Sequence, residues 1–258
     1  MTEHVQRSDC STILITGAGK RLGLFLTEHY LESGWRVIAH YNTANEIPES
    51  DREHWQQKER YVALQADLSS VSDVEVFVAN ISALNLTIDA VIHNASYFVA
   101  DDPLASLQEH WKLQQQMMSV HVMSVDAITM GLIPRYAKST SIVAITDIYV
   151  DKPNQRFASY CAAKSALQNL CLSYSQRLAP NIRVNIIQPG PIQFLTQHSE
   201  DYREKVLSQS LLKRELGYGA ILQAAEYLQL AQGVTGAILK VDGGRANANH
   251  YEQSFSVN

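Results

Sequence analysis

Seven short apolar, β-branched runs recur along the chain, each separated from the next by enough residues to make a return crossing. They are "TILIT" (12–16), "RVIAH" (36–40), "YVALQ" (61–65), "DAVIH" (89–93), "SIVAIT" (141–146), "RVNIIQ" (183–188) and "AILKV" (237–241). A run that is apolar throughout, rather than at every second residue, suits a strand covered on both faces, as in a parallel sheet. Parallel neighbours need crossover connections, and residues 21–33, 70–83, 104–137 and 158–178 are long enough to supply them as helices. The pattern predicts an α/β fold: a doubly wound, Rossmann-like sheet of seven parallel strands with helices on both faces. With 258 residues, 46% of them hydrophobic, the chain can bury one large core. No repeat, low-complexity stretch or linker divides it, so residues 1–258 are expected to form one domain. Residues 191–217 interrupt the rhythm. They are polar, carry a short helical stretch at "SEDYREKVLSQ", and are read as an inserted substrate lid. The tail from Ala246 is polar and aperiodic, suited to a mobile end or an oligomer contact.

A net charge of −5 gives no reason to expect nucleic acid or an anionic membrane as partner. No apolar run approaches the roughly 18 residues of a spanning helix. The start, "MTEHVQRSDC", lacks the basic-then-apolar pattern of a signal peptide. Of the three cysteines, Cys161 and Cys171 on one helix would lie about 15 Å apart, too far to pair. Reduced thiols and a cytoplasmic setting are the expectation. The nine histidines form no metal-binding spacing, so no metal is expected.

"TGAGKRLG" (16–23) follows the first strand and opens the first helix. Gly17, Gly19 and Gly23 let the backbone turn tightly and pass close to a ligand, and the helix N-terminus offers free N–H groups to a pyrophosphate. An ordinary strand-to-helix turn could carry the same glycines; the alternating pattern around them favours the nucleotide reading. Gly17, Gly19, Lys20, Arg21, Leu22 and Gly23 are the candidate cofactor contacts of this turn. The second strand ends in "AHYNT" (39–43), where an acid would select NAD through the ribose 2′-hydroxyl. His40, Tyr41 and Asn42 occupy that place, and no acid follows before Glu46. Lys20, Arg21 and His40 could instead supply charge and donors to a 2′-phosphate, which predicts NADPH.

Tyr160 and Lys164, at i and i+4, share one face of a helix. A free phenol titrates near ~10, and a neighbouring ammonium is expected to bring it toward the working range. Asp147 closes an apolar strand thirteen residues upstream. It reads either as a turn cap or as part of the same acid/base group.

These motifs occur in a fixed order: "TGAGKRLG" at 16–23, "ADLS" at 66–69, "HNAS" at 93–96, "YCAAK" at 160–164 and "PGP" at 189–191. The chain resembles the short-chain dehydrogenase/reductase family over roughly residues 11–245, and within it the pteridine reductases. Arg21, the "NAS" triplet and Asp147 stand where most members carry glycine, "NAG" and serine. The resemblance implies Tyr160 as proton donor, with Lys164 binding the nicotinamide ribose. It places Asn94 and Ala95 beside the adenosine, and Asp67 and Leu68 at the adenine. Arg21 and Ser96 would touch the pyrophosphate and face the pterin, and the segment from Pro189 and Gly190 would hold the carboxamide. Phe98 would stack on the pterin, although Tyr97 beside it is also a candidate ring. His121 stands where the family usually has a helix asparagine that steers the lysine through water, and either ring nitrogen of a histidine could bridge such a water. A homotetramer is implied through the family alone.

Asp147 then narrows the chemistry. A carbonyl reductase wants a neutral hydroxyl near its developing oxyanion. Reduction of a dihydropterin C=N delivers hydride to carbon and a proton to nitrogen, which a carboxyl group beside the tyrosine can assist. Burial would raise its pKa for that task. The expected function is therefore NADPH-dependent reduction of a 7,8-dihydropterin; that dihydromonapterin is favoured and dihydrofolate slower is implied by the resemblance alone. The alternatives are a carbonyl or 3-ketoacyl reductase of the same fold and a non-catalytic NADP(H) sensor.

Overall fold

The computed structural model describes residues 10–248, so residues 1–9 and 249–258, the latter most of the tail from Ala246, lie outside the described residues. One sheet holds all seven strands: β1 (Thr12–Thr16), β2 (Arg36–Tyr41), β3 (Tyr61–Gln65), β4 (Ile88–His93), β5 (Tyr136–Ile145), β6 (Ile182–Pro189) and β7 (Ile238–Val241). Their order is β3-β2-β1-β4-β5-β6-β7, and every pairing is parallel. The order reverses between β1 and β4, and a crevice opens there at the carboxyl ends of the strands.

Both faces of the sheet are covered, which explains the uninterrupted apolar runs. On one face Ile13 and Ile15 of β1 pack against Leu26 of α1 (Arg21–Glu32), and the cluster extends to Ile221 and Leu228 near the chain's end. On the other, Leu14, Val91 and Ile142 meet Phe77 of α3 (Val71–Ala83), reached after the polar α2 (Glu49–Gln57). Each such side chain contributes roughly 1.5–3 kcal/mol when fully buried.

The long crossover between β4 and β5 is not one continuous helix. It comprises α4 (Leu107–Met118), a π turn (Ser119–Met123) and α5 (Ser124–Gly131). α4 starts with a capping box in which Ser106 and Glu109 satisfy each other's N–H groups. The π turn centres on His121, whose Nδ1–H donates to the Met117 carbonyl at 2.9 Å. β5 begins five residues before its apolar run because Thr140 Oγ1 donates to the Ile88 and Ala137 carbonyls and draws that polar segment onto β4. α6 (Ala158–Arg177) follows the loop after β5. Residues 191–217 contain α7 (Glu200–Leu207), capped by Ser199, and α8 (Tyr218–Leu230) leads into β7. Among the described residues no helix is long and apolar enough to cross a membrane.

Candidate active site

The crevice at the switch point holds a cavity of about 310 Å³. Gly17, Gly19 and Lys20 line it from the β1–α1 turn, His40, Tyr41 and Asn42 from the end of β2, Asp67 and Leu68 from beyond β3, and Ala95 and Ser96 from beyond β4. Gly17 has φ +67° with Ala95 Cα 2.8 Å from where a side chain would begin, and a side chain at Gly23 would collide with the Gly17 carbonyl. The turn is stitched to β4 by Asn94, whose Nδ2 donates to the Thr16 and Gly17 carbonyls, both at 3.1 Å. Asn94 thus holds the glycine turn in place rather than lining the cavity. Leu22, in the first turn of α1, is buried in the core cluster and does not line the cavity. Helix α1 has no side-chain cap and no acid in its first turn, which leaves its N–H groups and positive dipole end for an anion. Arg21 is exposed at this end and sits at φ +52°, a conformation that costs a non-glycine residue of order 1 kcal/mol. That strain explains why glycine is the commoner choice for this place. Arg21 does not line the cavity; its charge acts on Tyr218 at the start of α8. Pro189 ends β6 opposite Val241, and the Gly190 N–H donates to the Val241 carbonyl at 3.0 Å; neither lines the cavity.

His40 corrects the sequence reading. Its Nδ1 accepts from the Gly17 N–H at 3.0 Å, and its Nε2–H donates to the Ala66 carbonyl at 3.0 Å. Burial pushes its pKa down. A neutral imidazole with both nitrogens committed offers neither charge nor donor to a 2′-phosphate. It is a strut between the turn and β3. Lys20, exposed on the rim, and Arg21 are left as the cations there.

Past the cavity's inner end stand the acid/base groups. Asp147 is placed by the end of β5, where its Oδ1 accepts the Tyr149 N–H at 2.9 Å and so caps a short 3₁₀ turn. Its other oxygen accepts from the Tyr160 hydroxyl at 3.0 Å. Asp147 is therefore both a turn cap and a partner of the tyrosine, not one or the other. Lys164 is buried, 2% exposed, and donates from Nζ to the Ile145 carbonyl at 2.9 Å. Its Nζ lies 5.6 Å from the Tyr160 ring centre.

The electrostatics differ from the expectation in one respect. Burial lowers Lys164 to about 8. Burial also raises Asp147, outweighing the Tyr149 N–H, Lys164, Tyr160 and Arg245, which pull it down. Tyr160 is not brought down toward neutrality. Burial first, then the Asp147 charge and its hydrogen bond, hold it well above the usual phenol value, against a smaller opposite effect of Ser96. The ammonium spends a hydrogen bond on a backbone carbonyl and faces the ring, while the carboxylate accepts a hydrogen bond from the phenol, which keeps its proton. The arrangement keeps the phenol protonated, as a donor requires.

His121 brings a second correction. Beside the Met117 bond, its Nε2 accepts from the Tyr97 N–H at 3.2 Å and faces the Ser96 hydroxyl at 3.1 Å. Burial, with the Lys164 charge, lowers it to about 2. With both nitrogens occupied it does not bridge a water to Lys164. It fastens the segment after β4 to the π turn. That segment carries Phe98, 52% exposed, with its ring edge-on to Tyr160 at 4.7 Å and stacked on Phe157 at 4.4 Å. Tyr97 is half-buried, packed near Met117 and Tyr160. Of the two candidate rings, Phe98 is the one presented to solvent beside the phenol.

Tyr97, one of the two candidate rings, also lines the cavity, and Thr43, Ala44, Gln116 and Val120, which sequence reasoning did not single out, complete its wall. Gln116 and Val120 are four apart and share a helical face, but only the π turn decides that this face meets the crevice.

The described residues form a dinucleotide-type fold with a tyrosine, lysine and carboxylate at its crevice. Residues 17–246 match the family model described as "Enoyl-(Acyl carrier protein) reductase", and the chain belongs to the short-chain dehydrogenase/reductase family of oxidoreductases. It is 34% identical to dihydromonapterin reductase of Klebsiella pneumoniae over 237 residues, 90% of this chain and 95% of that protein. It is 32% identical to dihydromonapterin reductase of Escherichia coli O6:K15:H31 over 238 residues, with the same coverage. The crystal structure of FolM alternative dihydrofolate reductase 1 from Brucella canis, complexed with NADP, superposes with a TM-score of 0.83 at 26% identity, covering 98% of this chain and all of that one. The corresponding Brucella suis structure, also with NADP, gives 0.81 at 27% identity, covering 94% of this chain and 98% of that one.

Proposed function

We propose that this chain reduces a 7,8-dihydropterin to the tetrahydropterin with NADPH, dihydromonapterin being the favoured substrate and dihydrofolate a slower one. The observation that carries the reading is the Tyr160 hydroxyl donating to a buried carboxylate, Asp147, at 3.0 Å. The names of the relatives, two of them solved with NADP, support it.

The residues present fit the cofactor. The uncapped start of α1 suits the pyrophosphate, Lys20 and Arg21 suit a 2′-phosphate, and the cavity wall of Asp67, Leu68 and Ala95 suits the adenosine. Lys164 would bind the nicotinamide ribose. NADPH supplies a hydride to carbon. The chain's part is to place the acceptor and deliver a proton. Phe98 offers one face to a flat pterin, a geometry that aromatic stacking favours. Tyr160 delivers the proton to the ring nitrogen, and Asp147, its pKa raised by burial, takes part in holding and replacing that proton. Ser96 would face the pterin beside Tyr160, with Arg21 reaching in from the start of α1.

A carbonyl or 3-ketoacyl reductase would need the substrate oxygen to approach Asp147, and a non-catalytic sensor would have no use for the Tyr160–Asp147 bond. NADPH consumption with dihydromonapterin, dihydrofolate and a simple ketone, run side by side, separates the three. Pterin turnover is expected; ketone turnover alone, or tight NADPH binding with no turnover, refutes the reading.

A further inference from the structure

A second cavity, of about 320 Å³, lies behind the 3₁₀ turn that Asp147 caps. Its walls include Tyr149, Lys152, Asn154, Gln209 and Arg245. Three features set it apart.

The first is charge. The Lys152 ammonium donates to the carbonyls of Arg245 at 2.9 Å and Ala248 at 3.3 Å, and Arg245 donates to the Val206 carbonyl at 3.1 Å and to Gln209 Oε1 at 2.5 Å. Among the described residues neither cation forms an ion pair with a carboxylate. The neighbouring acid, Asp151, is already paired with Lys240 at 2.7 Å. Both cations line the one cavity with their hydrogen bonds spent on neutral oxygens, so an anion entering it would meet two positive charges that no carboxylate has paired.

The second is rigidity. Arg245 sits on a turn fixed by Asp242, whose two oxygens accept the Gly244 N–H at 2.9 Å and the Ala246 N–H at 2.7 Å. Its guanidinium is further fastened to the end of α7. A pre-set cation of this kind loses little freedom on binding.

The third is continuity with the first site. Phe98 stacks on Phe157 at 4.4 Å, and Phe157 stacks on Tyr149 at 6.2 Å with 21° between the planes. A row of rings therefore leads from the ring beside Tyr160 to the wall of the cationic cavity.

We infer that this cavity is a subsite for the carboxylate-bearing tail of a pterin substrate, the aminobenzoyl ring following the row of aromatic side chains and the glutamyl carboxylates meeting Lys152 and Arg245. The inference rests on the pterin reading and deepens it, because it says how a folate would be told from a pterin with a neutral side chain.

The test uses the tail both attached and alone. KM is measured for dihydrofolate and for 7,8-dihydrobiopterin, whose tail is uncharged, in the natural protein and in Lys152→Gln and Lys152→Glu. Binding of p-aminobenzoyl-glutamate alone is followed by calorimetry on the same proteins. The expected result is a KM for dihydrofolate raised about tenfold by Lys152→Glu, on the scale of one lost charge-assisted contact, and less by Lys152→Gln. The ratio of the two substrates' kcat/KM moves with it, and binding of the fragment weakens in the same order. Equal changes for both substrates, or fragment binding indifferent to Lys152, overturns the subsite while leaving pterin reduction intact. Fragment binding that depends on Lys152 without turnover of either pterin overturns the functional reading while the subsite stands.

Discussion

Replacing His121 by alanine tests how the π turn serves the site. The imidazole makes three polar contacts: it donates to the Met117 carbonyl, accepts the Tyr97 N–H and faces the Ser96 hydroxyl. It also packs edge-on to Tyr160 at 5.5 Å. Alanine leaves the Tyr97 N–H without its acceptor, at about 1–3 kcal/mol, and forfeits roughly 1 kcal/mol for each other bond. A void beside Tyr160 adds to this. The total is at least about 3–5 kcal/mol, and a chain of this size shifts by roughly 2–4 °C per kcal/mol. Thermal unfolding at matched protein concentration should therefore show Tm lowered by roughly 6–20 °C. Because the ring fastens the segment carrying Ser96 and Phe98, KM for the pterin should rise more than kcat falls. A Tm within about 2 °C of the natural protein, with unchanged KM, would mean that the imidazole does not hold that segment.

Other outcomes follow from the same structure. His40→Ala should lower stability, since it removes the strut between Gly17 and Ala66, yet leave the NADPH-to-NADH ratio of kcat/KM within about twofold; a collapse of that ratio would restore His40 as a phosphate contact. Arg21→Gly should relieve the strained φ and leave stability level or slightly raised, while kcat/KM falls for NADPH and not for NADH; equal effects on the two cofactors would refute its assignment. His93, fully buried, is lowered by burial to about 4. The unfolded chain thus binds a proton between pH 6.5 and 4 that the folded one refuses, and stability is lost as pH falls through that window. The loss at this residue is about 3 kcal/mol, and denaturant titrations across it should be flatter in His93→Gln.

Much of this was legible in the chain. The runs at 12–16 and 61–65 coincide with β1 and β3 residue for residue; β1 is buried along its whole length, whereas β3 is a half-buried edge strand bounded by polar residues. β5 did not, because its first half is polar and joins the sheet through Thr140. Nothing in the composition of residues 107–131 marks a break, and only the bonds of one histidine reveal that the segment bends through a π turn. At the site, spacing brought Tyr160 and Lys164 together, and the resemblance brought Asp147 to them. Spacing could not say which charge the phenol would feel. That depends on where Nζ finds its acceptor, the Ile145 carbonyl, and on the carboxylate turning back to the hydroxyl. His40 misled for a similar reason: a histidine at the end of a strand is written the same way whether its nitrogens face a ligand or the backbone.

The central claim is that the Asp147 carboxyl serves protonation of a C=N bond. A single-turnover measurement of NADPH oxidation by dihydromonapterin, over a range of pH, compares the natural protein with Asp147→Ser. In the natural protein the rate should fall as pH rises through the raised pKa of the carboxyl, whose proton is then lost. In Asp147→Ser the rate at neutral pH should drop by about 10²-fold or more, that pH limb should vanish, and NADPH affinity should stay within about twofold. An unchanged rate and pH profile would reduce Asp147 to the cap of its turn and remove the ground for choosing a pterin over a carbonyl substrate.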